Sequence, residues 1–202
     1  MPLEKMYKRG YSALKDDALW QEVKSGNKDA FVHLYNTFAD DLLRYGFQLA
    51  KDKSIVEDTI HDLYVSIWDQ KATLVEVHSI KYYLMSALRR MLLRKIKKED
   101  IRHQKEMLFD EVNMVPSFLD ANFQTQDESA LIEKIRSTLQ NLSERQREII
   151  YLKFYQNLSY QDIANLLELD QKYTYNLAAR AYASFKEQFK QYSSILLVFL
   201  AF

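Results

Sequence analysis

The 202-residue sequence contains no cysteine, only three glycines and only two prolines. The absence of cysteine excludes disulfides and cysteine-ligated metal sites, and it fits a reducing cytoplasm. Because few glycines and prolines are available for sharp turns, and because periodic Leu-, Lys- and Glu-rich segments fill the chain, we predict an all-α protein. The formal net charge is zero. The chain therefore lacks an overall basic excess, and any binding of nucleic acid must depend on local charge.

Catalytic signatures are also absent from the sequence. It has no Gly-rich phosphate loop, no nucleophile elbow and no cluster of residues at the spacing of metal ligands, and its four histidines are dispersed. We therefore predict no enzymatic activity, no metal site and no cofactor. The N-terminus has no apolar core of a secretory signal, and the apolar stretch 195–202, ILLVFLAF, is too short to span a membrane. We interpret this stretch as a tail that packs on the last domain or contacts a partner or membrane surface.

Helix-start signals divide the chain into two helical domains. N-cap and capping-box residues precede several periodic segments: Ser54 with Glu57, Ser143 with Gln146, Asn27, Ser79 and Ser159. Together with hydrophobic periodicity they predict helices over 16–24, 28–50, 54–71, 79–98, 128–141, 144–155, 160–168 and 171–190. We predict domains at 14–98 and 128–190, a linker at 99–127 and a tail at 191–202.

Residues 159–185, SYQDIANLLELDQKYTYNLAARAYASF, predict two helices joined by a short turn. On a helical wheel, one side of the second helix is a packing side with Leu177 and Ala178 at its centre. The opposite side carries small and polar residues: Lys172, Tyr175, Asn176, Ala179 and Arg180. A helix in the DNA major groove needs such a side, because short residues permit close approach while amides and cations bind base edges and phosphates. A plain helical hairpin explains the same pattern equally well.

Residues 79–98, SIKYYLMSALRRMLLRKIKK, form the most basic part of the chain, with aromatic residues near their start. Cations that hold phosphates and rings that stack on bases suit single-stranded DNA. The candidates for this role are Lys81, Tyr82, Tyr83, Arg89, Arg90 and Arg94. A solvated basic helix face with tyrosines in the core is the alternative interpretation.

The predicted helix 54–71 has an apolar stripe and an acidic side that includes Asp58, His61 and Asp62. A solvated acidic face is the ordinary interpretation of such a pattern. Unpaired acids beside apolar edges would also suit a basic docking surface. The spacing of His61 from the other histidines gives no indication of a metal or acid–base site.

Several segments resemble bacterial RNA polymerase sigma factors of the extracytoplasmic-function (ECF) group. Residues 142–169, LSERQREIIYLKFYQNLSYQDIANLLEL, resemble region 4 over a long and specific pattern. Residues 54–74, SIVEDTIHDLYVSIWDQKATL, resemble region 2.2, and the flanking segments 29–52 and 79–98 resemble the neighbouring region 2 helices. The resemblance departs from the family pattern where Tyr175 replaces a usual cation, Asn176 replaces a serine and Arg90 replaces a common asparagine.

The resemblance implies a cytoplasmic sigma factor with two all-α domains. It implies that core RNA polymerase binds the region 2.2 surface, at Asp58, His61, Asp62, Val65 and Trp68, and also binds region 4. It further implies that helix 171–185 reads the −35 element of promoter DNA. Segment 70–95 would melt the −10 element, with a flipped base held by the loop near 70–79. A membrane-anchored anti-sigma factor is the expected regulator, although the chain itself is not expected to be a membrane protein.

Two other classes of protein remain open. A conventional helix-turn-helix regulator would bind its operator as a dimer and would have no reason to carry the region 2 pattern. A helical adaptor would use the basic helix as a solvated face and would contact no DNA.

Overall fold

The computed structural model describes residues 15–50, 52–103 and 126–188, with side chains described over 15–50, 52–98 and 133–187. These residues form helices and no strand, which confirms the predicted all-α class. The chain divides into two compact units, Met1–Asp110 and Glu111–Phe202. The apolar stretch 195–202 and most of the predicted linker lie outside the described residues.

The N-terminal unit contains four α-helices within the described residues. They are α1 (Asp16–Lys24), α2 (Lys28–Leu49), α3 (Lys53–Asp69) and α4 (Ile80–His103), with a 3-10 turn at Lys71–Thr73. Asn27 caps α2 as predicted, because its side chain accepts hydrogen bonds from the backbone N–H groups of Asp29 and Ala30. Helix α4 continues to His103, five residues past its predicted end.

The predicted capping box at the start of α3 is wrong. The N-cap is Asp52, whose Oδ1 accepts hydrogen bonds from the N–H groups of Ser54 (2.8 Å) and Ile55 (3.2 Å). Glu57 instead pairs with Lys53 at 3.4 Å. An aspartate two residues earlier satisfies the same free N–H groups, so Ser54 lies inside the first turn.

The core of the N-terminal unit is filled from all four helices. Fully buried side chains include Trp20 of α1, Leu34 and Tyr45 of α2, Ile67 of α3 and Leu88 of α4. Gly46 lies at a close approach of α2 and α3, since a Cβ atom there would overlap Cγ1 of Val56. The glycine therefore sets the spacing of α2 and α3 and with it the shape of their outer surface.

The C-terminal unit contains α5 (Gln126–Gln140), α6 (Glu144–Ile150), α7 (Tyr160–Leu167) and α8 (Gln171–Gln188). The predicted capping box of Ser143 and Gln146 is confirmed in both directions. The predicted helix 144–155 is helical throughout, but its last part, Tyr151–Tyr155, is π-helical, and Gln156 N–H donates to the Tyr151 carbonyl at 3.1 Å. Such single π turns inside helices are rare.

A three-residue turn joins α7 to α8. Glu168 adopts the left-handed conformation with φ 56° and ψ 44°, and the N–H of Leu169 donates to the Ala164 carbonyl at 2.8 Å. The Asp170 carboxylate then accepts a hydrogen bond from the N–H of Tyr173 at 3.0 Å. The turn ends α7 and begins α8 with local bonds, and this fixes the angle between the two helices.

Candidate functional site

Helix α8 has one buried side and one exposed side, as the helical wheel predicted. Thr174, Leu177, Ala178 and Ala181 are buried against the rest of the unit. All five residues predicted to contact DNA are exposed: Lys172, Tyr175, Asn176, Ala179 and Arg180. The exposed side therefore combines two cations, an amide and a phenol with a small residue that leaves room for close approach. We call these five residues the reading side.

Aromatic contacts hold Tyr175 against the neighbouring helix. The ring of Tyr175, which is 57% exposed, meets the ring of Tyr160 of α7 edge-on, with centroids 5.4 Å apart. Lys153 Nζ lies 5.1 Å from the centroid of the Tyr160 ring. Burial, and then the nearby Tyr175, raise the pKa of Tyr160. The row of Lys153, Tyr160 and Tyr175 was not predicted from the sequence, because its members come from three elements.

The basic helix α4 presents only part of its predicted set at the surface. Arg90 and Arg94 are exposed, and Lys97 and Lys98 extend the same basic surface. Arg89 is only 8% exposed and packs within the unit. Burial leaves Arg89 outside the surface that could meet a phosphate.

The residues at the start of α4 have partners within the N-terminal unit. Lys81 Nζ pairs with the Asp41 carboxylate at 2.9 Å. Tyr82 lies 5.2 Å from His78, measured between ring centroids. Tyr83 meets Trp20 edge-on at 5.1 Å, and burial raises its pKa. Tyr82 and Tyr83 thus stand beside the loop that precedes α4, although both rings are partly buried.

The loop 74–79 is tied to α1 by long-range hydrogen bonds. Trp20 Nε1–H donates to the Val75 carbonyl at 2.8 Å, and Gln21 donates to the Glu76 carboxylate at 2.6 Å. Lys24 pairs with the same carboxylate. These hydrogen bonds from Lys24 and Gln21 hold the pKa of Glu76 below its ordinary value. At the end of the loop, the Ile80 N–H donates to Asp16 Oδ2 at 2.7 Å.

A groove of about 490 Å³ opens between α2 and α3. Its lining is mostly aromatic and apolar: Phe31, Tyr35, Ile60, Tyr64, Val65 and Trp68. The rings pack in pairs, with centroids of Phe31 and Trp68 4.9 Å apart and those of Tyr35 and Tyr64 4.8 Å apart. The buried hydroxyl of Tyr64 has no hydrogen-bond partner among the described residues, and burial raises its pKa.

The structure brings together most of the residues predicted to bind polymerase. His61, Val65 and Trp68 line the groove, and Val65 is 43% exposed. Asp58 and Asp62 are exposed on the same helix beside the groove. Asp62, however, pairs with Lys95 of α4 at 2.7 Å, so part of the acidic surface is already neutralised. The groove itself was not predicted, because the sequence of segment 29–52 indicates a region 2 helix but does not show which of its residues face α3.

Comparison with known proteins identifies the C-terminal helices. Residues 132–184 match the family model described as Sigma-70, region 4. These residues form a sigma-70 region 4. The match contains the whole of α6 and α7 and most of α8, including the five residues of the reading side.

The longer comparisons extend the similarity to the N-terminal unit. The chain is 24% identical to the ECF RNA polymerase sigma factor SigX of Bacillus subtilis (strain 168) over 152 residues, which cover 71% of this chain and 75% of SigX. SigX and the other curated relatives are sigma factors. The chain as a whole therefore resembles the ECF sigma factors, as the sequence indicated.

Two solved structures share the fold. One is CnrH in complex with the cytosolic domain of CnrY, with a TM-score of 0.56 and 19% identity, covering 87% of this chain and 97% of CnrH. The other is the sigma factor RpoE in complex with the anti-sigma factor NepR from Bartonella quintana, with a TM-score of 0.56 and 20% identity, covering 79% of this chain and 96% of RpoE. Both likenesses support the two-domain, all-α architecture around region 4.

The described residues also bear on two other types of site. Within 15–50, 52–103 and 126–188, no group of acidic or histidine side chains is placed to hold a metal ion. In the same part of the chain, no helix has both the length and the apolar character needed to cross a membrane.

Proposed function

We propose that the chain is an ECF-type sigma factor that binds core RNA polymerase and directs promoter-specific initiation of transcription in the cytoplasm. The observation that carries this proposal is a region 4 with a two-sided second helix, in one chain with a unit that resembles region 2. The sigma factor has no catalytic activity of its own, and it acts by positioning the polymerase on promoter DNA.

The reading side of α8 recognises the −35 element in the major groove. Asn176 can bind adenine through two hydrogen bonds, while Arg180 and Lys172 can bind guanine or phosphate. Ala179 permits the helix to approach the base edges. Because the reading side contains only two cations, its binding to duplex DNA should depend only modestly on salt.

The N-terminal unit holds the unpaired −10 element. Arg90 and Arg94 are exposed and supply positive charge for phosphates, and Tyr82 stands near the loop 74–79. Extruding a base costs a few kcal/mol, which contacts within the loop and the start of α4 must offset. Lys81 and Tyr83 support this surface, and Arg89 acts from within the unit rather than on DNA.

The groove between α2 and α3, with the acids beside it, binds the polymerase. An apolar groove next to Asp58 and Asp62 suits a basic amphipathic helix. The resemblance to region 2.2 points to the clamp coiled coil of the largest polymerase subunit as that partner. Val65 and Trp68 contribute the apolar part of the contact, and His61 lines the groove beside them.

An anti-sigma factor is the proposed regulator. Both solved neighbours with the same fold were determined with a bound partner, the cytosolic domain of CnrY in one case and the anti-sigma factor NepR in the other. A partner of this type, anchored in the membrane, would keep this chain from the polymerase until a signal releases it.

The proposal is tested by transcription from a pool of promoter DNA with core polymerase of the source bacterium, with and without the full-length chain. We expect new start sites that share one −35 element and one −10 element, and Arg180→Ala should weaken them. Arg145→Ala serves as a control, because it removes an exposed arginine from α6 of the same unit. It also removes the ion pair of Arg145 with Glu148 at 3.4 Å, so the stability of both variants is compared with that of the wild type. Sequence-specific DNA binding by the chain alone, with no effect on the polymerase, would contradict the proposal and favour a conventional regulator.

A further inference from the structure

We propose that helix α1 positions the loop 74–79 for reading the −10 element, with Asp16 and Trp20 as positioning residues and Val75 as the presented contact. This inference rests on the proposed sigma function and adds the device that fixes the reading loop. Helix α1 lies outside the segments whose sequence resembles the family's promoter-binding helices. Its role follows from the hydrogen bonds that it makes.

The contacts of α1 with the loop lie along one side of the helix. Asp16, Trp20 and Lys24 are spaced by four residues, so they form one row about 12 Å long. The Asp16 carboxylate accepts a hydrogen bond from the N–H of Ile80, and the Trp20 indole N–H donates one to the Val75 carbonyl. Lys24 and Gln21 both donate to the Glu76 carboxylate. From Glu76 to Ile80, the chain therefore runs back along α1 from its end towards its start.

These bonds fix one backbone atom within the loop, the Val75 carbonyl oxygen, one backbone atom directly after it, the Ile80 nitrogen, and the side chain of Glu76. The loop lies between the 3-10 turn and α4 and has no helix or strand of its own. A segment of this kind samples many conformations unless other bonds hold it, and each ordered residue costs about 1–2 kcal/mol of backbone entropy. The indole of Trp20 is completely buried, so its N–H holds the Val75 carbonyl from a rigid position.

The fixed loop turns an apolar side chain outwards. Val75 is 66% exposed although its carbonyl is bound from inside the unit. The same Trp20 ring contacts Tyr83 of α4, so one side chain sets both the loop and the start of the basic helix. An exposed apolar side chain on a fixed backbone can pack against an unpaired base without a large loss of entropy on binding, and the methyl group of thymine is its best apolar contact.

The matched pair Asp16→Ala and Asp17→Ala tests this arrangement. Both aspartates lie in the first turn of α1, so both substitutions remove the same charge from the helix start. Only Asp16 reaches the loop region, whereas Asp17 Oδ1 accepts a hydrogen bond from the neighbouring Ala18 N–H. Asp16→Asn keeps an acceptor oxygen and should restore most of the wild-type behaviour.

The measurement uses the full-length chain with core polymerase on a promoter found in the pool experiment. Permanganate reactivity of thymines in the −10 element reports unpairing, and single base changes there report discrimination. We expect Asp16→Ala to lower both by about two- to tenfold, the range for one lost hydrogen bond. Polymerase affinity and protection of the −35 element should stay within about twofold of wild type. Asp17→Ala should match wild type in all four measurements.

A second pair of variants covers the case in which Asp16→Ala disturbs folding. The two substitutions Gln21→Ala and Lys24→Ala, combined in one chain, remove both bonds that the surface of α1 makes to Glu76. This double variant should lower −10 discrimination, as Asp16→Ala does. The inference would be overturned if Asp16→Ala and Asp17→Ala behaved alike. It would also be overturned if Asp16→Ala reduced −35 protection as much as −10 unpairing. Either result would leave the sigma function intact. If the wild-type chain gives no polymerase-dependent unpairing, the proposed function fails and the inference fails with it.

Discussion

In the C-terminal unit, the side chains assigned to DNA stand on a helix that begins with bonds from its immediate neighbours. Ser159 caps α7 and Asp170 caps α8, each through an N–H three residues further on. In the N-terminal unit, the loop 74–79 and the first residue of α4 are held by residues of α1 that lie 52–64 positions earlier in the chain. One surface is thus built from local bonds and the other from tertiary bonds.

This difference explains which surface tolerates change. A helix with its own caps keeps its reading side as long as its buried side remains packed. A loop that depends on distant partners loses its conformation when any of those partners moves. We therefore expect substitutions in the N-terminal core to affect −10 reading, and substitutions on the C-terminal reading side to affect −35 binding alone.

The largest expected effect concerns the reading side itself. Arg180→Ala or Asn176→Ala should weaken polymerase-dependent binding to the −35 element by about 1–3 kcal/mol, the value of a good bidentate contact to a base. The measurement is competition between promoters that differ at single −35 positions. If Arg180 contacts a base, its loss relaxes the preference at one position. A uniform loss over all positions would identify a phosphate contact instead.

The next effect acts through the spacing of α2 and α3. Gly46→Ala places a methyl group against Val56, and the resulting strain should exceed the gain of about 1 kcal/mol in helix preference. We expect a net loss of about 1–2 kcal/mol in the free energy of unfolding. Both tryptophans of the chain, Trp20 and Trp68, lie in the N-terminal unit, so their fluorescence follows this transition.

A double variant provides the control for Gly46. Val56→Ala removes the methyl groups that the new Cβ would meet, so Gly46→Ala should cost less in that background than in wild type. Equal costs in the two backgrounds would show that the close approach of α2 and α3 does not depend on this contact.

A smaller effect tests the local bonds of the C-terminal unit. Ser159→Ala removes the N-cap of α7, and we expect it to lower stability by about 1 kcal/mol. Ser159→Asn should restore most of the lost stability, because asparagine is an equally good cap and brings no second negative charge to the Asp162 carboxylate, which lies 2.7 Å from the Ser159 hydroxyl. Circular dichroism during denaturant unfolding reports the change. If Ser159→Asn loses as much stability as Ser159→Ala, a capping role is contradicted.

The smallest effect concerns acid pH and the bonds of Glu76. Lys24 and Gln21 lower the pKa of this carboxyl in the folded chain, so the unfolded chain binds its proton more readily. The contribution to stability is therefore complete above the ordinary pKa of 4.5 and is lost as pH falls through the folded value. Glu76→Gln should be less stable than wild type near neutral pH, and the difference should shrink in acid. A difference that stays constant down to about pH 3 would contradict this linkage.

Local patterns made most of the C-terminal unit predictable. The capping box of Ser143, the cap at Ser159 and the two-sided wheel of α8 all depend on residues a few positions apart. The π-helical stretch Tyr151–Tyr155 was not predictable, because its pattern of apolar residues equals that of an ordinary helix.

Tertiary contacts account for what the sequence did not reveal in the N-terminal unit. Arg89 shares its side of α4 with Met85 and Leu92, which lie four residues before it and three after it, and packing buries all three while Arg90 is exposed. The basic character of the segment concealed this difference. The pairing of Asp62 with Lys95 joins two helices, and the pattern of neither helix alone indicates it. The family resemblance predicted a −10 loop near residues 70–79, and the attachment of the loop 74–79 to α1 is visible only in the structure.

If the two units read different promoter elements, substitutions in each unit should alter the specificity for one element only. The measurement is selection of start sites from a promoter library by core polymerase with the wild-type chain, with Asn176→Ala and with Val75→Ala. We predict that Asn176→Ala changes the selected bases only in the −35 element and that Val75→Ala changes them only in the −10 element. If both variants change the selected bases in the same element, the two units do not divide promoter reading in this way. The same conclusion follows if the start sites selected with the wild-type chain share no −35 or −10 element.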